Sequence, residues 1–276
     1  MEIQRFLAGR TGSHSLPDGE PASFVVHDIG WLKLSSGRLA IGETSSLGNP
    51  VVVNVPPGEY RVEVTSAEVD EYYDIRESRF AYVSVLLSEN KPVSVEPALV
   101  EPETVRWRSE PAGGVAGIAG LHGITMSQVS CLALADAAAL PEGMPGAPDT
   151  WYSTVFDTPA GGMFERMDSD EARPRGTLNA ALPETKNDDR LILVIARELQ
   201  YPILATKDQN GELTGIHIDM LVVGELSEAL EAFEGQTAAA KYILEDAMRA
   251  EVLAEEAAER RNRGLTGLLR RVFGDT

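Results

Sequence analysis

The chain has 276 residues, of which 43% are hydrophobic and 24% are charged, and its formal net charge is −19 at pH 7. This acidic balance disfavours a general nucleic-acid binder, because phosphate contacts require clustered lysine and arginine. Cys131 is the only cysteine, which excludes an intramolecular disulfide.

The N-terminal part of the sequence predicts an arm followed by β-hairpins. Residues 1–23 contain glycine, serine and proline without a strong hydrophobic period, and they predict a loose arm with a short ordered piece. From Phe24 onward strand signals begin, and WLKLSSGRLAIG predicts two short strands around a turn at residues 35–37. In the next pair, Pro56-Pro57-Gly58 predicts a tight turn, after which apolar and charged residues alternate as in a half-buried strand.

Further strands are expected in RFAYVSVLLS, RLILVIA, YPILATK and ELTGIHIDMLVV. Residues 141–150 are rich in proline and glycine, and they suggest a subdomain boundary. Residues 168–190 are polar, charged and interrupted by proline, which predicts a long exposed loop. We therefore predict an α+β fold in which residues 24–225 form a mostly antiparallel, β-rich domain.

The C-terminal part, residues 226–276, predicts a helical extension. No proline occurs from Leu226 to Arg263, and alanine, glutamate and leucine dominate, which favours a long helix. The last residues, RRNRGLTGLLRRVFG, combine arginines with apolar side chains that can share one helix face. This pattern predicts a basic amphipathic tail on an acidic protein.

The stretch KDQNGELTG could be a calcium loop or a hairpin turn. A helix-loop-helix calcium site needs a glycine at the sixth loop position, whereas Gly211 is the fourth residue counted from Asp208. The flanking segments also predict strands, and Asn-Gly between two such segments is a strong hairpin signal. We expect a structural turn.

The order of these motifs resembles an uncharacterised bacterial family, a domain of unknown function. GWLKLSSGRL resembles the family's opening Gly-x-Leu-x-Leu-x-Ser-Gly-Arg hairpin, VPPGEYRVEV its second hairpin, and LADAAAL its middle segment, with Asp136 at the family's aspartate. The closing strands match the family at Tyr201, Pro202, Asp208, Gly211 and Asp219. The resemblance covers roughly residues 28–224. It implies the shape of the domain rather than a chemistry.

Candidate catalytic residues are few. His217 and Asp219 lie two positions apart on a predicted strand, so their side chains share a face, and with Asp136 they could form a hydrolase site. The alternative is a polar, solvent-facing side of the strand, with Ile216 and Ile218 pointing inward. Leu132 and Leu134 follow Cys131, which is therefore expected to be a buried, inert thiol. We expect no metal, since no spacing supplies three metal ligands. We also expect no cofactor, since the sequence has no Walker-type loop and GGVAGIAG lacks the strand-to-helix context of a dinucleotide site.

Two segments suggest protein recognition. Asp70, Glu71, Tyr72 and Tyr73 combine acidic and aromatic side chains, which suits a basic protein partner. In the tail, the contacting side chains are expected to be Leu268, Leu269, Arg270, Arg271 and Phe273. The alternatives are a solvated loop for the first segment and a terminus that docks on its own domain for the second.

These patterns predict a non-enzymatic bacterial interaction protein, of an immunity or scaffolding type, with a protein partner and no nucleic acid. The alternatives are the hydrolase above and an adaptor whose tail makes a weak contact with an anionic membrane. We expect a cytoplasmic location, because no segment has the apolar length of a signal peptide or of a membrane helix, about 18 residues or more.

Overall fold

A computed structural model describes residues 1–16, 19, 21–71, 75–105, 115, 118, 120–127, 131–158, 161–169, 172–197 and 199–236, without the side chains of residues 69–71, 75–77, 103 and 105. The chain divides into two compact units, Met1–Leu230 and Glu231–Thr276. Residues 141–150 lie inside the first unit, where Met144 is buried, so the boundary suggested there is not observed.

Thirteen strands are found in the described residues. They are β1 (Gly12–Ser15), β2 (Pro21–Leu34), β3 (Arg38–Glu43), β4 (Val51–Asn54), β5 (Gly58–Glu71), β6 (Ile75–Leu86), β7 (Ser94–Pro97), β8 (Gly123–Thr125), β9 (Cys131–Asp136), β10 (Thr177–Ala181), β11 (Arg190–Ile195), β12 (Gln200–Lys207) and β13 (Leu213–Asp219). Short helices are α1 (Pro102–Val105), α2 (Leu140–Gly143) and α3 (Met163–Asp168), with a π-helical turn at Tyr152–Phe156. Short 3₁₀ turns occur at Ile3–Arg5, Thr44–Ser46 and Pro148–Thr150.

The strands form two antiparallel sheets. The first has the order β1-β2-β5-β6-β13-β12-β7, with β8 also paired to β12, and the second has the order β10-β11-β9-β3-β4. Both contribute to one hydrophobic cluster, in which Val62 and Val83 of the first sheet and Leu132 and Ile192 of the second are fully buried. The prediction of a β-rich, antiparallel domain is confirmed.

Alternation along the strands of the second sheet explains its continuous apolar sequence. On β9, Leu132 and Leu134 belong to the cluster shared by the two sheets, while Ala133 and Ala135 belong to a second cluster. That second cluster includes side chains from the segments around α2, the π-helical turn and α3, such as Phe156. Because both faces of these strands are buried, they need no polar side.

The sequence predicts too little order in two segments. In residues 1–23, Phe6 and Leu7 are buried and β1 pairs with β2, so order extends beyond the short piece predicted there. The expected loop at residues 168–190 contains β10, which pairs with β11 from Thr177 to Ala181. Local polarity misled both predictions, since strand pairing and burial depend on distant partners.

The C-terminal helix is described only at its start. Residues 225–236 are helical, and the remainder, including the predicted basic tail, lies outside the described residues. No helix in the described part of the chain is long and apolar enough to cross a membrane.

Candidate functional site

The turn between β12 and β13 is a hairpin turn, as predicted. One carboxylate oxygen of Asp208 accepts hydrogen bonds from the backbone N–H groups of Asn210 (2.8 Å) and Glu212 (3.1 Å). Gly211 has φ +81°, a conformation that glycine adopts without strain. The Asp208 side chain therefore has a structural role in holding the turn.

His217 lies on the outer face of the first sheet, beneath the N-terminal segment. Its Nδ1 is 2.9 Å from Ser84 Oγ and its Nε2 is 3.0 Å from Thr206 Oγ1. The ring of Phe6 packs edge-on against it, with centroids 4.9 Å apart. Burial lowers the pKa of His217 to about 3, so the imidazole is neutral at physiological pH.

Asp219 lies on the same face of β13 and is also buried. Its Oδ1 accepts a hydrogen bond from Leu221 N (2.9 Å), and the Tyr82 hydroxyl hydrogen-bonds to the carboxyl group. Burial raises the pKa of Asp219 to about 7, against which these two hydrogen bonds act. The alternative of a solvent-facing strand side is wrong, because His217 and Asp219 are only 5% and 1% exposed.

Asp136 belongs to the second sheet and has different partners. Its carboxylate accepts hydrogen bonds from Ser36 N (2.7 Å), Ser36 Oγ (2.6 Å) and Ala138 N (2.8 Å). These contacts join the β2–β3 turn to the end of β9. None of the partners of Asp136 is a partner of His217 or Asp219, so the structure does not assemble these three residues into the predicted hydrolase site.

A cavity of about 290 Å³ lies next to His217. Its lining includes Phe6, Arg10, Ser84, Asn90, Lys91 and His217. Ser84 and His217 are adjacent here, but a histidine with a pKa of about 3 is a poor general base near neutral pH. Among the described residues, no group of three or more histidine, cysteine, aspartate or glutamate residues could hold a metal ion.

The structure describes some of the remaining candidate residues, and others lie outside the described part of the chain. Cys131 is 8% exposed, and burial raises the pKa of its thiol to about 12, which confirms a buried thiol. Asp70 and Glu71 lie at the end of β5, where their backbone pairs with Arg76 and Ile75 of β6. Tyr72 and Tyr73 lie outside the described residues, as do Leu268, Leu269, Arg270, Arg271 and Phe273.

A second cavity, of about 300 Å³, was not predicted from the sequence. Three arginines line it, each from a different segment: Arg79 from β6, Arg175 from the segment before β10, and Arg197 from the β11–β12 connection. The remaining lining is mostly apolar and comprises Ser78, Phe80, Ile195, Ala196, Tyr201, Met220 and Val222. We call this cavity the arginine pocket.

The backbone around the arginine pocket fixes the position of its lining. Between β5 and β6 the register shifts at Thr65/Ser66, so Ala81 is an extra residue between Phe80 and Tyr82. Such a bulge changes the direction in which neighbouring side chains point. The Tyr201 hydroxyl accepts a hydrogen bond from Arg197 N (2.9 Å) and lies 3.1 Å from Arg197 O, which anchors the connection.

The charges in the arginine pocket affect one another. Burial lowers the pKa of Arg79, and the positive charge of Arg197 lowers it further. Both residues line the same cavity, which agrees with this influence of Arg197 on Arg79. Arg79, Arg175 and Arg197 also make other interactions within the chain, so a bound anion would add to these contacts or exchange with them.

Comparison with protein-family models, with curated proteins and with solved structures found no match to this chain. The resemblance to a domain of unknown function therefore stays a prediction. The arginine pocket had no local sequence signal, because its three arginines lie 96 and 22 positions apart along the chain. The only sequence signal for this pocket was the position of Arg197 directly after a continuous apolar strand, which places a charged side chain near the core.

Proposed function

We propose that this chain is a non-enzymatic binding protein whose arginine pocket accepts a negatively charged group. One observation carries the proposal: three arginines line a single cavity in a chain with a formal net charge of −19. Long-range electrostatics alone would repel anions from such a protein. A local concentration of guanidinium groups makes this cavity a place where an anion can be attracted.

Arginine is suited to this role. Its planar guanidinium can donate two parallel hydrogen bonds to a carboxylate or a phosphate, and it stays charged at physiological pH. Burial and the positive charge of Arg197 both lower the pKa of Arg79, and a bound anion would offset that positive charge. Arg175 and Arg197 are exposed and Arg79 is half-buried, so a ligand can reach the cluster from solvent.

The contacts of the predicted hydrolase residues favour binding over catalysis. Asp136 holds a turn, and His217 has both ring nitrogens hydrogen-bonded within the protein. A general base near neutral pH needs a pKa close to that pH, whereas burial lowers the pKa of His217 to about 3. Hydrolysis stays untested as an activity, although Asp136 shares no partner with His217 or Asp219.

The same proposal includes the wider role predicted from the sequence. The protein would act in the cytoplasm of a bacterium as an interaction protein of an immunity or scaffolding type. The helix that starts at residue 225 would continue as a long helix and present the basic tail to a protein partner. A weak contact between the tail and an anionic membrane is the alternative.

Thermal unfolding with added propionate tests anion binding at the arginine pocket. A ligand that binds only the folded state raises the melting temperature. We expect the melting temperature of the wild type to be higher in propionate than in chloride at the same ionic strength. The Arg175→Gln/Arg197→Gln double variant should bind at least about tenfold more weakly, since charge-assisted hydrogen bonds are lost.

Arg10→Gln is the matched control, because Arg10 lines the cavity beside His217 instead. It removes a positive charge without changing the arginine pocket, so its response should equal that of the wild type. The proposal would be wrong if propionate gave no rise beyond chloride, or if the Arg10→Gln variant lost the response while the double variant kept it.

A further inference from the structure

The lining of the arginine pocket combines two kinds of side chain. Three of these side chains are arginines, while Phe80, Ile195, Met220 and Val222 supply apolar surface, which we call the apolar wall. Met220 is buried, but Phe80 and Val222 are only half-buried, and Ile195 is 56% exposed. Apolar side chains left accessible in a concave site, beside polar groups that orient a ligand, are typical of small-molecule sites.

Ile195 is held in its exposed position by the backbone. Its N–H donates to Gly176 O (2.7 Å), and a Cβ added to Gly176 would lie 2.7 Å from Ile195 Cγ2 and 3.5 Å from Phe80 Cε2. Gly176 has φ +82°, which favours glycine at this position. The close approach at Gly176 places Ile195 beside Phe80, next to Arg175 and Arg197.

We infer that the ligand of the arginine pocket is a small organic carboxylate with an apolar body, its charged end at the arginines and its body against Ile195, Phe80 and Val222. This inference rests on the proposed function and adds the chemical class of the ligand. An inorganic anion would use the guanidinium groups but leave the apolar wall in water. A ligand with both parts would also bury that wall, which is favourable.

The volume of the cavity supports a small ligand. About 300 Å³ is at the lower end of the range for small-molecule pockets, roughly 300 to 1,000 Å³. The space suits a short fatty acid, an aromatic acid or the terminal residue of a polypeptide with a free carboxylate. These three share one chemistry, and they differ in whether the carboxylate belongs to a free acid or to a chain terminus.

A series of carboxylates of increasing length measures the contribution of the apolar wall. Dissociation constants for acetate, butyrate and hexanoate, with inorganic phosphate as the purely polar probe, are obtained by protein-detected NMR titration at constant ionic strength. Each buried methylene strengthens binding by about fourfold. We therefore expect affinity to rise along the series until the cavity is filled, with phosphate weaker than hexanoate.

Ile195→Thr removes apolar surface from the wall while keeping a β-branched side chain that suits a strand. It should weaken hexanoate by about fivefold and leave phosphate unchanged. Val25→Thr is the matched control, because Val25 is another exposed β-branched residue, 48% exposed on β2, outside the pocket. Its affinity for hexanoate should equal that of the wild type.

Two short peptides ending in leucine, one with a free carboxylate and one amidated, distinguish the sources. If the free-carboxylate peptide binds more tightly than hexanoate, the ligand is a polypeptide terminus. If hexanoate binds more tightly, the ligand is a free acid. Both outcomes support the inferred chemistry. Equal affinities along the series, or phosphate binding as tightly as hexanoate, would overturn the inference but keep an anion pocket. If no anion bound, the proposed function would fall as well.

Discussion

The buried carboxyl of Asp219 should make stability depend on pH in a direction opposite to that of most carboxylates. In the unfolded chain this group ionises near its ordinary pKa of 3.8, while burial raises the pKa in the folded protein to about 7. Between these values the folded protein holds a proton that the unfolded chain has lost. The contribution of protonated Asp219 to the free energy of unfolding is thus fully present below about pH 4, and it is lost as the pH rises to about 7.

The size of this effect follows from the two pKa values. Each pH unit in this window costs about 1.4 kcal/mol, so the loss between pH 4 and pH 7 is about 4 kcal/mol. Asp219→Asn cannot ionise, yet its amide oxygen can still accept the hydrogen bond from Leu221 N. The variant should therefore become more stable than the wild type, by an amount that grows as the pH approaches 7.

Urea unfolding of both proteins from pH 4.5 to 8 measures the difference. The free energy of unfolding of the variant is subtracted from that of the wild type, because His217 acts in the opposite direction in both proteins. The pKa of His217 is lowered, so its contribution to stability is lost as the pH falls below about 6.5. Asp149→Asn, at an exposed site, controls for the loss of one negative charge. A wild-type-minus-variant difference that stays constant with pH would refute the burial argument.

The remaining predictions concern the turn, the thiol and the tail. Gly211→Val should lower the free energy of unfolding by about 1 kcal/mol or more, because valine is strained at φ +81°. Added calcium should not change the melting temperature of the wild type. A calcium-dependent rise in melting temperature would contradict the interpretation as a hairpin turn. A thiol reagent should label Cys131 slowly in the native protein and quickly in denaturant, whereas fast native labelling would mean that the thiol is accessible. If the tail docks through its apolar face, Leu269→Asp should speed trypsin cleavage near Arg263 more than Arg271→Ala does, and equal, slow cleavage would exclude Leu269 as the anchor.

Local features of the fold were predictable from the sequence. The turn at residues 208–212 depends on neighbours in sequence: an aspartate whose side chain binds nearby N–H groups and a glycine at positive φ. The alternation on β13 also placed Ile216 and Ile218 toward the core. These signals are local because the residues that cause them lie a few positions apart.

The sites depend on contacts that no local pattern encodes. One of the two interpretations of His217 from the sequence placed its side chain in solvent. In the structure Phe6, far away in sequence, packs on its ring. The arginine pocket likewise combines residues from β6, from the segment before β10 and from the β11–β12 connection. Arg175 lies in a stretch predicted to be an exposed loop, and only the pairing of the following strand brings it next to Ile195.

Mapping hexanoate binding by protein-detected NMR tests the central proposal most directly. The proposal predicts that the backbone signals which shift on titration belong to residues around the arginine pocket, such as Arg79, Ala196 and Val222. The Arg175→Gln/Arg197→Gln variant should show these shifts only at much higher ligand concentrations. Shifts centred instead on Ser84 and Thr206, beside His217, or no saturable shifts at all, would contradict it.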